Sequence, residues 1–116
     1  MSTVYIRPQR YTYEFVERQG WYSLCFFSEQ YKKALGFCGS KSGRDFDKAK
    51  ETGLTPNFSD KAPYYEEASL VLICRKLYRQ DMDKASFVDE AAVKAFYPGG
   101  DFHRMYVGAI ETALSA

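Results

Sequence analysis

Thr3-Val4-Tyr5-Ile6-Arg7-Pro8-Gln9-Arg10-Tyr11-Thr12 opens on a β-rich run and ends on a helix signal. Val4, Tyr5 and Ile6 favour a pleated, half-buried surface. Pro8 cannot donate to a strand ladder and turns the chain. Thr12 then reads as an N-cap, Glu14 falls in the first helical turn, and Gly20 marks the stop. The stretch is thus a strand closed by a proline that feeds a short helix.

Trp21 to Phe27 is a second strong strand, ending at Ser28. Ser28 caps a helix expected to run to Phe37, with Tyr31, Ala34 and Leu35 sharing a face. Gly39 to Gly43 reads as a loop, Asp45 to Thr52 as a short polar helix closed by Gly53, and Thr55 to Pro63 as a surface loop. Ala68 to Met82 is the longest strand candidate; its apolar front predicts burial on both faces and its alternating back predicts one wet face. A helix over Asp89 to Tyr97, a turn over Pro98 to Asp101 and a final strand over His103 to Glu111 complete the chain. Gly108 within that strand predicts a bulge or a close approach.

The order β-α-β-α-α-β-α-β predicts a mainly β fold with short helices, a small barrel decorated by helical segments. It does not match a doubly wound α/β fold, because no G-x-G-x-x-G follows the first strand. At 116 residues the chain is expected to form a single domain over 1–116, without an internal repeat or linker. A 46% hydrophobic and 17% aromatic content excludes a disordered segment and favours β structure.

The 16 basic and 15 acidic residues are intermixed, for a net charge of +1, so no concentrated positive field predicts nucleic-acid binding. Leu70 to Cys74 is the longest apolar run, far short of a membrane span. Three widely spaced cysteines, Cys25, Cys38 and Cys74, form no C-x-x-C pair and fit a reducing, cytoplasmic setting. His103 is the sole histidine, which leaves little material for a Cys/His metal site.

Two constellations carry chemistry. Arg7-Pro8-Gln9-Arg10-Tyr11-Thr12 places a guanidinium, a hydroxyl and helix N-terminal N–H groups together, the parts of a phosphate site. A capped helix with a solvated arginine is the plainer alternative. Gly39-Ser40-Lys41-Ser42-Gly43-Arg44-Asp45-Phe46-Asp47-Lys48 combines small residues with cations, although it is not a Walker loop. Taken alone, its plainer reading is a flexible loop of solvated charges. Two such stretches in one small domain, each expected to end at a helix start, favour a phosphorylated ligand.

The stretches Thr3 to Thr12 and Leu35 to Asp45 closely resemble the flavin reductase-like family that includes flavoredoxin. Gly53-Leu54-Thr55-Pro56 and His103-Arg104-Met105-Tyr106-Val107-Gly108 resemble it as well, in order and across nearly the whole chain. The resemblance implies a split β-barrel of the FMN-binding type and a homodimer with FMN near the subunit interface. It implies that Arg10, Tyr11 and Thr12 hold the phosphate end. Ser40, Ser42 and Lys48, with Arg44 nearby, would complete the anionic pocket or contact the ring. NADH or NADPH is the implied electron donor.

Family members usually carry several dozen residues before the first motif, including a strand that lines the isoalloxazine ring. The expectation is therefore a domain missing its N-terminal strand region. The leading functional expectation is an FMN-binding oxidoreductase or electron-transfer protein. A truncated non-catalytic paralogue and a phosphate-ligand binding module on the same scaffold are the alternatives. No catalytic acid or base is expected, since a flavin itself accepts the hydride. His103 and Cys38 read as structural, and Tyr11 and Trp21 are the aromatics that could approach a flavin.

Overall fold

The computed structural model describes residues 1–40 and 48–115. Strand β1 (Ser2–Ile6) leads through a turn into helix α1 (Tyr11–Arg18), and strand β2 (Trp21–Phe26) follows. A single 3-10 turn precedes α2 (Lys32–Ser40), then come α3 (Lys48–Thr52), β3 (Pro56–Asn57) and β4 (Tyr64–Tyr65). The long strand β5 (Leu70–Asp81), helix α4 (Glu90–Phe96) and the long strand β6 (Arg104–Ser115) complete the described chain.

The main sheet has the order β1-β6-β5-β2, and every neighbouring pair is antiparallel. The fold is mainly β with short helices, as expected, and the sheet is curled like a half-barrel. Two irregularities help it bend, because an extra residue increases local twist. Glu111 is the unmatched residue of β6, since Ile73 pairs Thr112 while Cys74 pairs Ile110. Leu77 is the unmatched residue of β5, between the pairs Lys76–Gly108 and Tyr78–Val107. The bulge expected near Gly108 is therefore present, and so is the close approach: the Tyr22 ring packs directly over this glycine.

Cross-strand register sorts the side chains. Trp21, Ser23, Val71 and Ile73 share the face covered by the β3–β4 segment, where Ala62 and Ala68 are buried against Val71 and Ile73. Ser23 Oγ donates to the Pro63 carbonyl at 2.5 Å and fastens that segment down. On the opposite face, Tyr22 pairs Cys74 and lies beside Gly108, while α1 covers Lys76, Arg79 and Tyr106. Ile73, Cys74 and Tyr106 are the most completely buried large side chains among the described residues.

Three local expectations need correction. Thr12 is not the N-cap of α1; Arg10 holds that position, with extended backbone and no side-chain cap. The cause is a tight turn in which the Arg10 N–H donates to the Arg7 carbonyl at 3.1 Å, so that the helix starts at Tyr11. The loop expected from Gly39 does not begin there, because α2 includes Gly39 and Ser40. Lys48 Nζ and Arg10 Nη2 donate to the Cys38 and Gly39 carbonyls, satisfying acceptors that a helix end leaves open. The stretch read as a loop over Thr55 to Pro63 contains β3, which pairs with β4. The expected loop residues 41–43 and the start of the expected helix at 45–47 lie outside the described residues.

Candidate functional site

The strand-to-helix connection from Ile6 to Tyr11 borders a cleft of about 410 Å³. Ile6, Arg7, Arg10, Thr12, Gly39 and His103 line it, together with the exposed Tyr5. The cleft therefore sits where β1, the start of α1, the end of α2 and the residue before β6 converge.

Its two arginines differ in what they can still bind. Arg7 is engaged: Nη1 donates to Asp101 Oδ2 at 2.6 Å, Nη2 donates to the Phe96 carbonyl at 2.7 Å, and the guanidinium lies 4.9 Å from the Tyr97 ring centre. Asp101 also accepts from Gln9 Nε2 at 2.5 Å. The Gln9 bond, a backbone bond and the Arg7 guanidinium hold the Asp101 carboxyl below the usual range, so it stays ionised and offsets the Arg7 charge. Among the described residues, Arg10 donates to a neutral acceptor, the Gly39 carbonyl at 3.1 Å, and has no carboxylate partner. With respect to the described residues, its other N–H groups are open to an anionic ligand.

Thr12 is the second residue of α1, and its exposed side chain lines the cleft. At this end the helix dipole is positive, which favours an anion. The nearby C-terminal end of α2 has the opposite polarity. Lys48 and Arg10 bonded to its last carbonyls moderate that effect.

His103 lines the same cleft, and its Nδ1 lies 2.5 Å from the Tyr97 hydroxyl. Burial and the Arg7 guanidinium hold this imidazole below its usual range, against the pull of Asp101, so the ring is neutral at pH 7. The bond to Tyr97 agrees with a structural histidine, yet the residue also faces the cleft. Arg7 belonged to the first constellation expected from sequence but not to the residues the family resemblance assigned to the phosphate, and His103 was read as structural.

Of the residues expected to bind a cofactor, the structure brings Arg10 and Thr12 to the cleft, together with Gly39 from the second motif. The Tyr11 ring packs edge-on against Phe15, at 4.9 Å between centres. Ser40 Oγ donates weakly to the Phe37 carbonyl at 3.4 Å, and Lys48 Nζ donates to Cys38 at 2.7 Å; both belong to the closing of α2. Ser42 and Arg44 lie outside the described residues.

The donor set suits the phosphate end of a flavin nucleotide. An arginine without an acidic partner among the described residues, a hydroxyl and a helix start meet in a space large enough for a phosphate and its linker.

The family model described as a flavin reductase like domain matches residues 1–114. Flavoredoxin from Methanosarcina acetivorans aligns at 23% identity with a TM-score of 0.72, covering 98% of this chain and 52% of that one. An FMN-binding protein from Thermus thermophilus, solved with p-hydroxybenzaldehyde, aligns at 22% identity and a TM-score of 0.73, covering 98% and 54%. Nitrilotriacetate monooxygenase component B from Bacillus cereus aligns at 14% and 0.73, again covering 98% and 54%. The chain thus spans about half the length of these solved structures, and at such identities the likeness speaks for the fold. A comparison with curated proteins finds no match.

Proposed function

Because the chain belongs to the flavin reductase like domain family, we propose that it binds FMN and serves as a flavin-dependent oxidoreductase or electron-transfer protein. The observation that carries this reading is the cleft in which Arg10, free of any described carboxylate, stands beside Thr12 at the start of α1. Arg10 and Thr12 would hold the phosphate, with the first N–H groups of α1 adding partial positive charge. Tyr11 belongs to the same turn, and Ser40, Ser42, Arg44 and Lys48 would act from the second motif. Bound flavin would supply the electron-accepting ring, with NADH or NADPH as the donor. No protein acid or base is assigned to the chemistry.

The test is equilibrium binding of FMN followed by flavin fluorescence. Arg10→Ala removes a charge-assisted hydrogen bond of about 1.5–3 kcal/mol and should weaken FMN roughly ten- to a hundredfold. Thr12→Ala should weaken it by a smaller factor, roughly three- to tenfold. Unchanged affinity in both variants would reject the phosphate assignment. Protein that fails to take up FMN would favour the non-catalytic scaffold, and equal binding of unrelated phosphorylated ligands without NADH or NADPH oxidation would favour a binding module.

We also propose a homodimer. The register aligns Tyr5, Met105 and Gln80 in one row and Thr3, Val107 and Tyr78 in the next, on a single face of the sheet. Tyr5 and Tyr78 are 56% and 50% exposed, too open for the large aromatic rings of a finished surface. A second copy would cover them. Sedimentation at micromolar concentration is expected to return a dimer, and a monomer would overturn this part of the reading.

A further inference from the structure

Helix α1 carries the first motif of the cleft at its start, yet none of its side chains is fully buried. Tyr11, Tyr13, Val16 and Glu17 are half-buried, so apolar packing holds the helix only in part. Its C-terminal end is held differently. Glu17 Oε1 accepts from Arg104 Nη1 at 2.8 Å and from the Tyr106 hydroxyl, while Oε2 accepts from Arg79 Nη1 at 2.6 Å. Lys76 Nζ donates to the Val16 and Glu17 carbonyls at 2.7 and 3.1 Å, capping the helix end from the sheet. Tyr13, one turn earlier, has its ring 5.4 Å from the Arg104 guanidinium.

These sheet residues are themselves fixed. Tyr106 is completely buried, and Arg104 forks onto Asp81 at 2.5 and 3.0 Å. Burial opposes the Glu17 charge, but hydrogen bonds from Tyr106 and Arg104 and the adjacent guanidiniums outweigh it and keep the carboxyl below its usual range. The grip therefore persists across neutral and mildly acidic conditions.

We propose that Glu17 is a positioning residue for the phosphate end of the flavin site: clamped by Arg79, Arg104 and Tyr106, it sets the direction of α1 so that Arg10 and Thr12 face the cleft. The inference rests on the flavin reading above. About 10 Å of helix separates Glu17 from Arg10 at 1.5 Å per residue, so releasing one end tilts the other. A ligand contact displaced by about an ångström loses much of its value.

Asp81 supplies the control. It carries the same charge and touches the same Arg104, but it lies on β5 and makes no described bond to α1. When its charge is removed, Glu17 itself still holds Arg104, and Arg79, Tyr106 and Lys76 still hold the end of α1. Removing either carboxylate charge makes the neighbourhood more positive, which by itself strengthens anion binding. Weaker phosphate recognition on losing Glu17 would run against that electrostatic expectation and point to geometry.

The experiment measures dissociation constants for FMN and for riboflavin, which lacks the phosphate, by flavin fluorescence. Wild-type protein is expected to prefer FMN. Glu17→Gln should reduce that preference about tenfold with riboflavin affinity retained, while Asp81→Asn leaves the preference intact or raises it. A preserved preference in folded Glu17→Gln, or an equal loss in Asp81→Asn, overturns the inference and leaves the flavin reading standing. Wild-type protein without a preference for FMN overturns the phosphate reading and this inference with it. If circular dichroism reports that Glu17→Gln does not fold, Tyr106→Phe takes its place. It removes one donor to Glu17 and should lower the preference about threefold, with an unchanged value overturning the proposal.

Discussion

Replacing Ile73 by alanine should destabilise the protein by about 2–5 kcal/mol and lower the midpoint of thermal unfolding by about 10 °C or more. Ile73 is 1% exposed and lies in the cluster with Val71, Ala62 and Ala68, against which Trp21, Phe27 and Leu114 are packed. Two members of that cluster are alanines, with no longer side chain to swing into the space. The β3–β4 segment is fastened from above by the Ser23–Pro63 bond, so collapse over a cavity would strain it. Residual cavity volume adds to the lost transfer energy when the surroundings cannot close. Chemical denaturation of wild type and Ile73→Ala decides the matter; a loss below about 1 kcal/mol would mean the site collapses freely.

Gly108→Ala should be the second severe change, through crowding rather than a void. A methyl group on Gly108 would stand 2.5 Å from Tyr22 Oη, 2.8 Å from Cζ and 2.9 Å from Cε1. Tyr22 is 7% exposed and its hydroxyl lies 2.7 Å from Ser2 Oγ, which in turn donates to Cys74 Sγ at 3.3 Å. Moving the ring would break a bond that ties β1 to β2 across the intervening strands. Overpacking of this kind costs about 1–3 kcal/mol. Tyr22→Phe in the Gly108→Ala background removes the nearest atom and should recover part of the loss, giving a non-additive pair in urea denaturation. Strict additivity would show that the clash is relieved elsewhere.

Much of this framework was legible from residue patterns. The β-branched and aromatic run before Pro8 marked β1, the apolar front of residues 70–74 marked a strand buried on both faces, and Gly108 was read as a bulge or a close approach. The errors arise where specific hydrogen bonds override the local pattern, or where an element is too short to have one. Arg10 rather than Thr12 opens α1 because a turn back to Arg7 closes first. The α2 helix continues through Gly39 because Lys48 and Arg10 arrive to satisfy its carbonyls. Two-residue strands such as β3 and β4 have no period to detect. In the site, Arg10 and Thr12 were recognisable from the first motif. That Arg7 is neutralised by Asp101 could not be read, since ninety-four positions separate them in sequence. The role given to Glu17 likewise needs β5 and β6 folded beneath α1.

The sheet order also has a temporal consequence. Among the described residues strand β1 lies at the edge of the sheet and pairs with β6, with Ser2 opposite Gly108 and Ile6 opposite Arg104. During synthesis the first of these strands must wait, without its ladder, until nearly all the described chain has emerged. Strands β5 and β6 form the middle of the sheet, while β2 can dock on β5 before β6 exists. Such non-local closure slows folding and leaves an apolar strand searching for a mate. Nascent chains are therefore most exposed to mispairing at β1, the strand that delivers Arg10 and Thr12 to the cleft.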